Sequence, residues 1–527
     1  MTIRKSRLWC FFVCISTMFM FLSTSRIQAQ SYPMDVSTSV QHDVSVPLRD
    51  TAPLYPASDI LRVHPLRPLH PPKGNQVIPP DPVAQTSPGP LTAVTSGLNF
   101  EGVGTGAYGF TPNAAPPDTN LSVGSTQAVQ WVNESFAVFD KTTGGIVYGP
   151  AAGNTLWKGF GGGCETNNDG DPVVLFDKVA QRWVFTQFSV STSPFLQCVA
   201  VSTTADATGT YFRYSFQMPN FNDYPKLGIW PDAYYMTFNM FSGNSFVGGR
   251  ACALNRNSML TGATATAVCF QLSSSFGGLL PADVDGAAAP PTGSPEYFLN
   301  FGTNSLNLWK FHVDFNNPAN STFTGPTNIS VAAFSEACGG GTCIPQSGTS
   351  QKLDSLGDRL MFRLAYRNFG TYETIVANHS VQVGTSRKNP YTGIRWYELR
   401  SPATTPAIFQ SATFAPDTNF RWMGSIAMDK VGDIAVGYSV SSGSIHPAIR
   451  YAGRVPTDPL GTLESENSII EGAGSQTANL NRWGDYSSMS VDPSDDCTLW
   501  YTTEYESVSG TFNWHTRIAS FKFPSCQ

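Results

Sequence analysis

The sequence predicts an all-β chain, a β-propeller of seven four-stranded blades, and three observations carry that expectation. A unit consisting of an Asp-bearing polar turn, a short β run, a tight Asp/Gly turn and an aromatic-rich β run returns along the chain. Within the runs, polar and apolar residues alternate with period two, as in Ser487-Ser488-Met489-Ser490-Val491 and in Thr516-Arg517-Ile518-Ala519-Ser520-Phe521-Lys522-Phe523. Composition agrees: 47 Gly, 35 Phe and 19 Tyr with only 13 % charged residues suit many turns and strands and few helices.

In chain order, Arg4, Lys5 and Arg7 precede an apolar stretch from Leu8 to Leu22 and then small residues up to Ala29. This pattern describes a secretory signal peptide over residues 1–29, and hence export. No cysteine follows the expected cut, which argues against a lipid anchor, and no later apolar run reaches the roughly 20 residues a membrane span needs. Residues 30–97 are rich in proline, as in Pro65-Leu66-Arg67-Pro68-Leu69-His70-Pro71-Pro72, and show no sustained period. They read as a largely disordered leader, a linker by composition, with a docking strap as the functional alternative.

Residues 98–527 carry the repeat. Its polar turns fall at Asp118, Asp171, Asp223, near Asp285, and at Asp354, Asp417 and Asp485, separated by about 50 to 70 residues as a blade with generous loops requires. The unit is clearest where Gly170-Asp171-Pro172-Val173-Val174-Leu175-Phe176-Asp177 leads into Arg182-Trp183-Val184-Phe185. The fourth unit, around Glu296 to Asn300 and Leu308 to Phe311, lacks a leading motif, so six or eight blades stay open. The last unit supplies three strands, and a strand near Leu98-Asn99-Phe100-Glu101 would complete it and remove the exposed edges. Adjacent aromatics such as Tyr234-Tyr235 and Trp500-Tyr501 should point to opposite faces of their sheets.

Ten cysteines become eight once Cys10 and Cys14 leave with the signal. An even number in an oxidising compartment favours disulfides, and sequence order suggests Cys164 with Cys198, Cys252 with Cys269, Cys338 with Cys343, and Cys497 with Cys526. The chain carries 32 basic and 38 acidic residues, a net charge of −6 that loss of Arg4, Lys5, Arg7 and Arg26 makes more negative, so nucleic acid is excluded as a partner.

The first strand of each propeller blade lines the central channel. The residues Asp118, Asp171, Asp223, Asp354, Asp417 and Asp485 are therefore expected to gather at one mouth, with Lys226, Arg421 and Arg482 as counter-charges. With Trp230, Trp422 and Trp483 they would form a polar funnel that stacks and hydrogen-bonds a sugar. The alternative is that each Asp caps a turn and each Trp packs between blades. Glycoside hydrolysis would need paired carboxylates, for which Asp485 with Glu504 or Asp171 are candidates. The repeated Asp-box of sialidases is absent, as are zinc, nucleophile-elbow and P-loop motifs. A structural Ca²⁺ is the one cofactor the chain would admit, at Asn167-Asn168-Asp169-Gly170-Asp171 or Asp283-Val284-Asp285-Gly286. Sequons stand at Asn120, Asn133, Asn320, Asn328 and Asn378.

Two stretches, Asp223-Tyr224-Pro225-Lys226-Leu227-Gly228-Ile229-Trp230-Pro231-Asp232-Ala233-Tyr234-Tyr235 and Arg482-Trp483-Gly484-Asp485-Tyr486-Ser487 through Asp496-Cys497-Thr498-Leu499-Trp500-Tyr501, resemble a group of uncharacterised secreted bacterial proteins. Pro117-Asp118-Thr119-Asn120 belongs to the same likeness, which extends over nearly all of residues 98–527. The resemblance implies export and a propeller-like fold and brings no catalytic residues with it. The sequence therefore reads as a secreted binding module for a glycan or an extracellular protein. The competing readings are an extracytoplasmic glycan hydrolase or lyase working through Asp485, Asp171 and Arg482, and a structural surface protein.

Overall fold

The computed structural model describes residue 1 and residues 32–55, 61–70, 79–91, 94–385 and 390–527; apart from Met1, the signal segment expected over residues 1–29, with its expected cut after Ala29, lies outside them. Strands take 49 % of the chain and helices 6 %, so the protein is all-β. The strands form consecutive antiparallel meanders whose first strands are Asn120–Val123, Val173–Asp177, Phe221–Ile229, Leu280–Asp285, Met361–Asn368, Phe420–Met428 and Ser488–Val491. Each first strand lies against the first strand of the next meander, and Ser488–Val491 of the last lies against Asn120–Val123 of the first.

The turns inside the meanders follow from side-chain capping. Asp429 Oδ1 accepts the backbone N–H groups of Val431, Gly432 and Asp433, and Asp495 Oδ1 accepts those of Cys497 and Thr498, which closes a tight turn without a second strand's help. Between turns the period-two pattern sorts side chains by face. Tyr234 and Tyr235 enter two different core clusters, as do Trp500 and Tyr501, so the interior lies between successive sheets. Trp230, Trp422 and Trp483 belong to that interior: Trp230 meets Tyr366 edge-on with ring centres 4.8 Å apart, and Trp422 packs on Trp483 at 6.0 Å. They line no funnel, which corrects that part of the sequence reading.

The fourth meander departs from the repeat. Leu280–Asp285 pairs antiparallel with Glu296–Gly302 through only Leu280 and Pro281, then runs parallel to Met361–Asn368, pairing Ala282 with Leu364 through to Asp285 with Arg367. The fourth and fifth meanders thereby share one nine-stranded sheet. In the last, Thr95–Glu101 pairs antiparallel with the final strand His515–Lys522.

The leader is not largely disordered over its described residues. Met34–Thr38 adds a strand to the edge of the third meander, Gln41–Val44 to the second and Ala84–Gln85 to the fifth. Their backbone groups satisfy outer-strand edges that would otherwise stay open, which local composition does not disclose. Four disulfides join the pairs expected from sequence order, with Cα atoms 5.8, 4.1, 5.4 and 5.5 Å apart for Cys164–Cys198, Cys252–Cys269, Cys338–Cys343 and Cys497–Cys526. No helix among the described residues is long and apolar enough to cross a membrane.

Candidate functional site

A backbone kink recurs at the head of the first strands. Asp118, Asp171 and Asp485 take left-handed φ values of 46°, 48° and 64°, and Tyr224 and Met423 do the same in the third and sixth meanders at 52° and 56°. Gly170 precedes one kink at φ +93°, where a Cβ would sit 1.7 Å from Asn133 Oδ1, so only glycine fits. The kinks bring Asp118, Asp171 and Asp485 into electrostatic contact around the buried Lys226, and Asp223 into contact with Asp171 and Asp485.

Each group is held by specific partners. Asp171 Oδ2 accepts the Tyr224 N–H at 2.9 Å, and Arg482 Nη2 donates to Asp485 Oδ2. Lys226 Nζ donates to the Pro225 carbonyl at 2.8 Å and lies 3.6 and 3.9 Å from the ring centres of Tyr224 and Tyr486, a cation between two aromatic faces. Arg359 stands 4.5 Å from the Tyr224 ring centre while gripping Asp358 with two nitrogens. The Tyr486 hydroxyl donates to Pro172 O, and Thr119 Oγ1 donates to Tyr486 O, linking first, second and last meanders.

Burial sets the charge states. Desolvation, reinforced by the Asp485 and Asp171 carboxylates, pushes Asp118 well above the ordinary range. Desolvation and Asp171 raise Asp223 to about 7, and desolvation raises Asp485 against the pull of Arg482. Lys226 is pushed down to about 8 by burial, its carboxylate neighbours notwithstanding. Behind this chamber, Glu504 Oε2 accepts the Gly484 N–H at 2.7 Å, and burial beside Glu506 raises its carboxyl well above the usual value.

Asp417 and Arg421, expected at the same mouth, are elsewhere. Met423 takes the kinked position in the sixth meander and packs against Gly484, so the polar turn upstream faces outward. There Arg421 grips Asp417 at 2.8 and 3.0 Å and Glu466 at 3.0 Å. Asp354 caps a turn, accepting the Leu356 N–H at 2.8 Å, and feels Arg482 and Asp485 from the rim. Sequence reasoning missed Arg359, Asp358, Tyr224 and Tyr486. The two tyrosines lie inside the recurring motifs and were legible there; Asp358-Arg359 belongs to no repeat.

At the two turns considered for Ca²⁺, acidic side chains meet protein donors. Asp283 and Asp285 are taken by Arg363, and Asp285 also by Lys178 at 2.5 Å. Asp169 accepts from the Val190 and Ser191 N–H groups. Among the described residues no group of three His, Cys, Asp or Glu side chains is placed to hold a metal. Asn120, Asn133 and Asn378 are buried, whereas Asn320 and Asn328 are exposed.

Beside the chamber lies a cavity of about 360 Å³ lined by Tyr55, Arg62, Asn113, Glu134, Asn154 and Asn168, among others. No protein-family model and no curated protein matches this chain. Among solved structures it is similar to an α-L-arabinofuranosidase from Lactobacillus brevis, at 10 % identity and TM-score 0.27 over 66 % of this chain and 89 % of that one. An exo-β-1,3-galactanase from Clostridium thermocellum aligns at 10 % identity and TM-score 0.30 over 79 % and 92 %. The WD40 domain of SCAP from fission yeast aligns at 6 % identity and TM-score 0.30 over 76 % and 82 %. Likenesses this distant assign neither a ligand nor a reaction to the chain.

Proposed function

We propose that this chain is an exported seven-bladed propeller, closed by Thr95–Glu101, that binds a hydroxyl-rich ligand, a glycan, at the mouth formed by Asp118, Asp171, Asp223, Lys226, Arg482 and Asp485. It would belong with the secreted bacterial proteins that its motifs resemble. The four disulfides support an oxidising, extracytoplasmic location.

One observation carries the ligand class. Asp118 Oδ1, Asp485 Oδ1, the Tyr224 hydroxyl and Arg482 Nη1 are buried side-chain atoms without a protein hydrogen-bond partner. Buried polar groups are ordinarily paired, and a set mixing donors with acceptors suits hydroxyls, which do both.

The test is a glycan array probed with the parent protein and with a folded Asp485→Ala, Arg482→Ala double variant. Selective binding by the parent and its loss in the variant supports the reading. Equal binding by both would move the ligand away from this mouth.

A further inference from the structure

Residues 61–70 cross this mouth. At one end Arg62–Val63 pairs in parallel with Ala114–Ala115, and the His64 N–H donates to Ala115 O at 2.8 Å. At the other end the Leu69 N–H donates to Asp358 Oδ2 at 3.2 Å, and His70 Nε2 lies 3.3 Å from Glu336 Oε1. The segment is thus anchored beside the first meander and again on the loop that leads into the fifth.

Between its anchors the segment meets the chamber's own cations. Arg482 Nε donates to the His64 carbonyl at 2.9 Å, and Arg359 Nη2 donates to the Arg67 carbonyl at 3.3 Å. The Arg67 guanidinium lies 4.3 Å from the Phe221 ring centre and 5.4 Å from that of Phe241, and its charge reaches Asp223. Leu66 packs on the core cluster that contains Tyr224 and Tyr486. Leu69 rests on Gly277 and Gly278, where an added Cβ would come within 3.0 and 3.1 Å of its methyl carbons. Pro65 and Pro68 favour an extended segment, whose His64 and Arg67 carbonyls are turned to the arginines beneath it.

We infer that this segment is an intrachain strap that closes the ligand mouth in the resting protein, and that a ligand reaches Asp118 and Asp485 only when the strap is displaced. The inference rests on the proposed glycan binding for the mouth's purpose, though not for the strap's position. His64 is the wall residue: its carbonyl is held by Arg482 of the chamber, while its ring lies 3.4 Å from Glu134, which faces the neighbouring cavity. Displacing the strap would join that cavity to the chamber. The bonds it makes are few and mostly to backbone carbonyls, so the opening is local and does not require the meanders to unfold.

The test labels carboxyl groups with a water-soluble carbodiimide and glycinamide and maps them by peptide mass spectrometry, in the parent and in a Leu66→Asp, Leu69→Asp variant built to release the strap. Asp118 and Asp485 are expected to react at least about tenfold faster in the variant, while the surface carboxyls of Asp140 and Asp314 react equally in both. Arg67→Ala, which removes the ring contacts and the charge near Asp223 but keeps Leu66 and Leu69, should give an intermediate rate. If the mouth carboxyls react at the same rate in parent and released variant, whether fast or slow, the strap does not control access and the inference fails. Unchanged labelling of Asp140 and Asp314 with an unchanged circular dichroism spectrum shows that the variant is folded. Repeating the glycan array with the released variant separates the two ideas: faster labelling without glycan binding keeps the strap and removes the glycan.

Discussion

The ammonium of Lys226, in the third meander, stands 3.9 Å from the ring centre of Tyr486, in the seventh, joining parts of the chain far apart in sequence. It is fully buried among Asp118, Asp171 and Asp485, and it serves these carboxyls as a shared cation alongside Arg482.

Lys226→Met should therefore be costly at neutral pH and less so in acid. The variant leaves buried carboxylates with one cation fewer, a loss of about 3 kcal/mol when the partners are ionised. Burial holds Asp118 and Asp485 above their ordinary values, so they take up protons as the pH falls and the difference from the parent should shrink. Chemical denaturation of both proteins at about pH 5 and about pH 7.5 measures it; an equal loss at both values would show that Lys226 acts only through packing.

The parent itself should lose stability as pH rises from about 5 to 8. Burial raises Asp223 from 3.8 to about 7, Asp429 from 3.8 to about 7 with help from Asp433, and Glu506 from 4.5 to about 8. Each folded carboxyl keeps a proton that the unfolded chain has released. Its stabilising contribution is complete below the unfolded value and is drained as pH climbs through the folded one. The slope is about 1.4 kcal/mol per pH unit for each such proton. Lys226, lowered to about 8, contributes in the opposite sense only above that value. Melting curves between about pH 5 and 8 test this, and Glu506→Gln, whose two oxygens have no hydrogen-bond partner, should flatten the upper part of the curve.

Arg421→Ala should separate stability from binding. Arg421 is buried and holds Asp417 and Glu466 together, so its loss should cost about 2 kcal/mol. Because neither acid faces the chamber, glycan binding should stay within error of the parent, in contrast to the Asp485→Ala, Arg482→Ala protein. Loss of binding in a folded Arg421→Ala variant would mean that the ligand lies nearer the sixth meander.

Cys497→Ser with Cys526→Ser should cost about 3 to 4 kcal/mol, since the bridge closes a loop with a separation of 29 residues. The bridge secures the chain just after His515–Lys522, the strand that Thr95–Glu101 joins. Faster proteolysis near the C-terminus in the double variant, with the first meanders still protected, would be the accompanying sign.

The strand pattern, the Asx-capped turns and the disulfide pairs were legible from local sequence, because alternation, capping and short cysteine separations each depend on residues close along the chain. Asp118, Asp171, Asp223 and Asp485 could be singled out for the same reason: each opens a repeat. What local sequence could not decide is which residue of a repeat occupies the kink. Met423 holds it in the sixth meander, and Asp417 and Arg421 consequently pair outside the chamber. Nor could composition tell that Pro65 to Leu69 lie across the mouth, for their partners Asp358, Arg359 and Arg482 are contributed by distant meanders. Tertiary structure alone settled the charge states as well: Asp118 and Lys226 leave their ordinary values because packing removes water from both, and that depends on how the meanders come together.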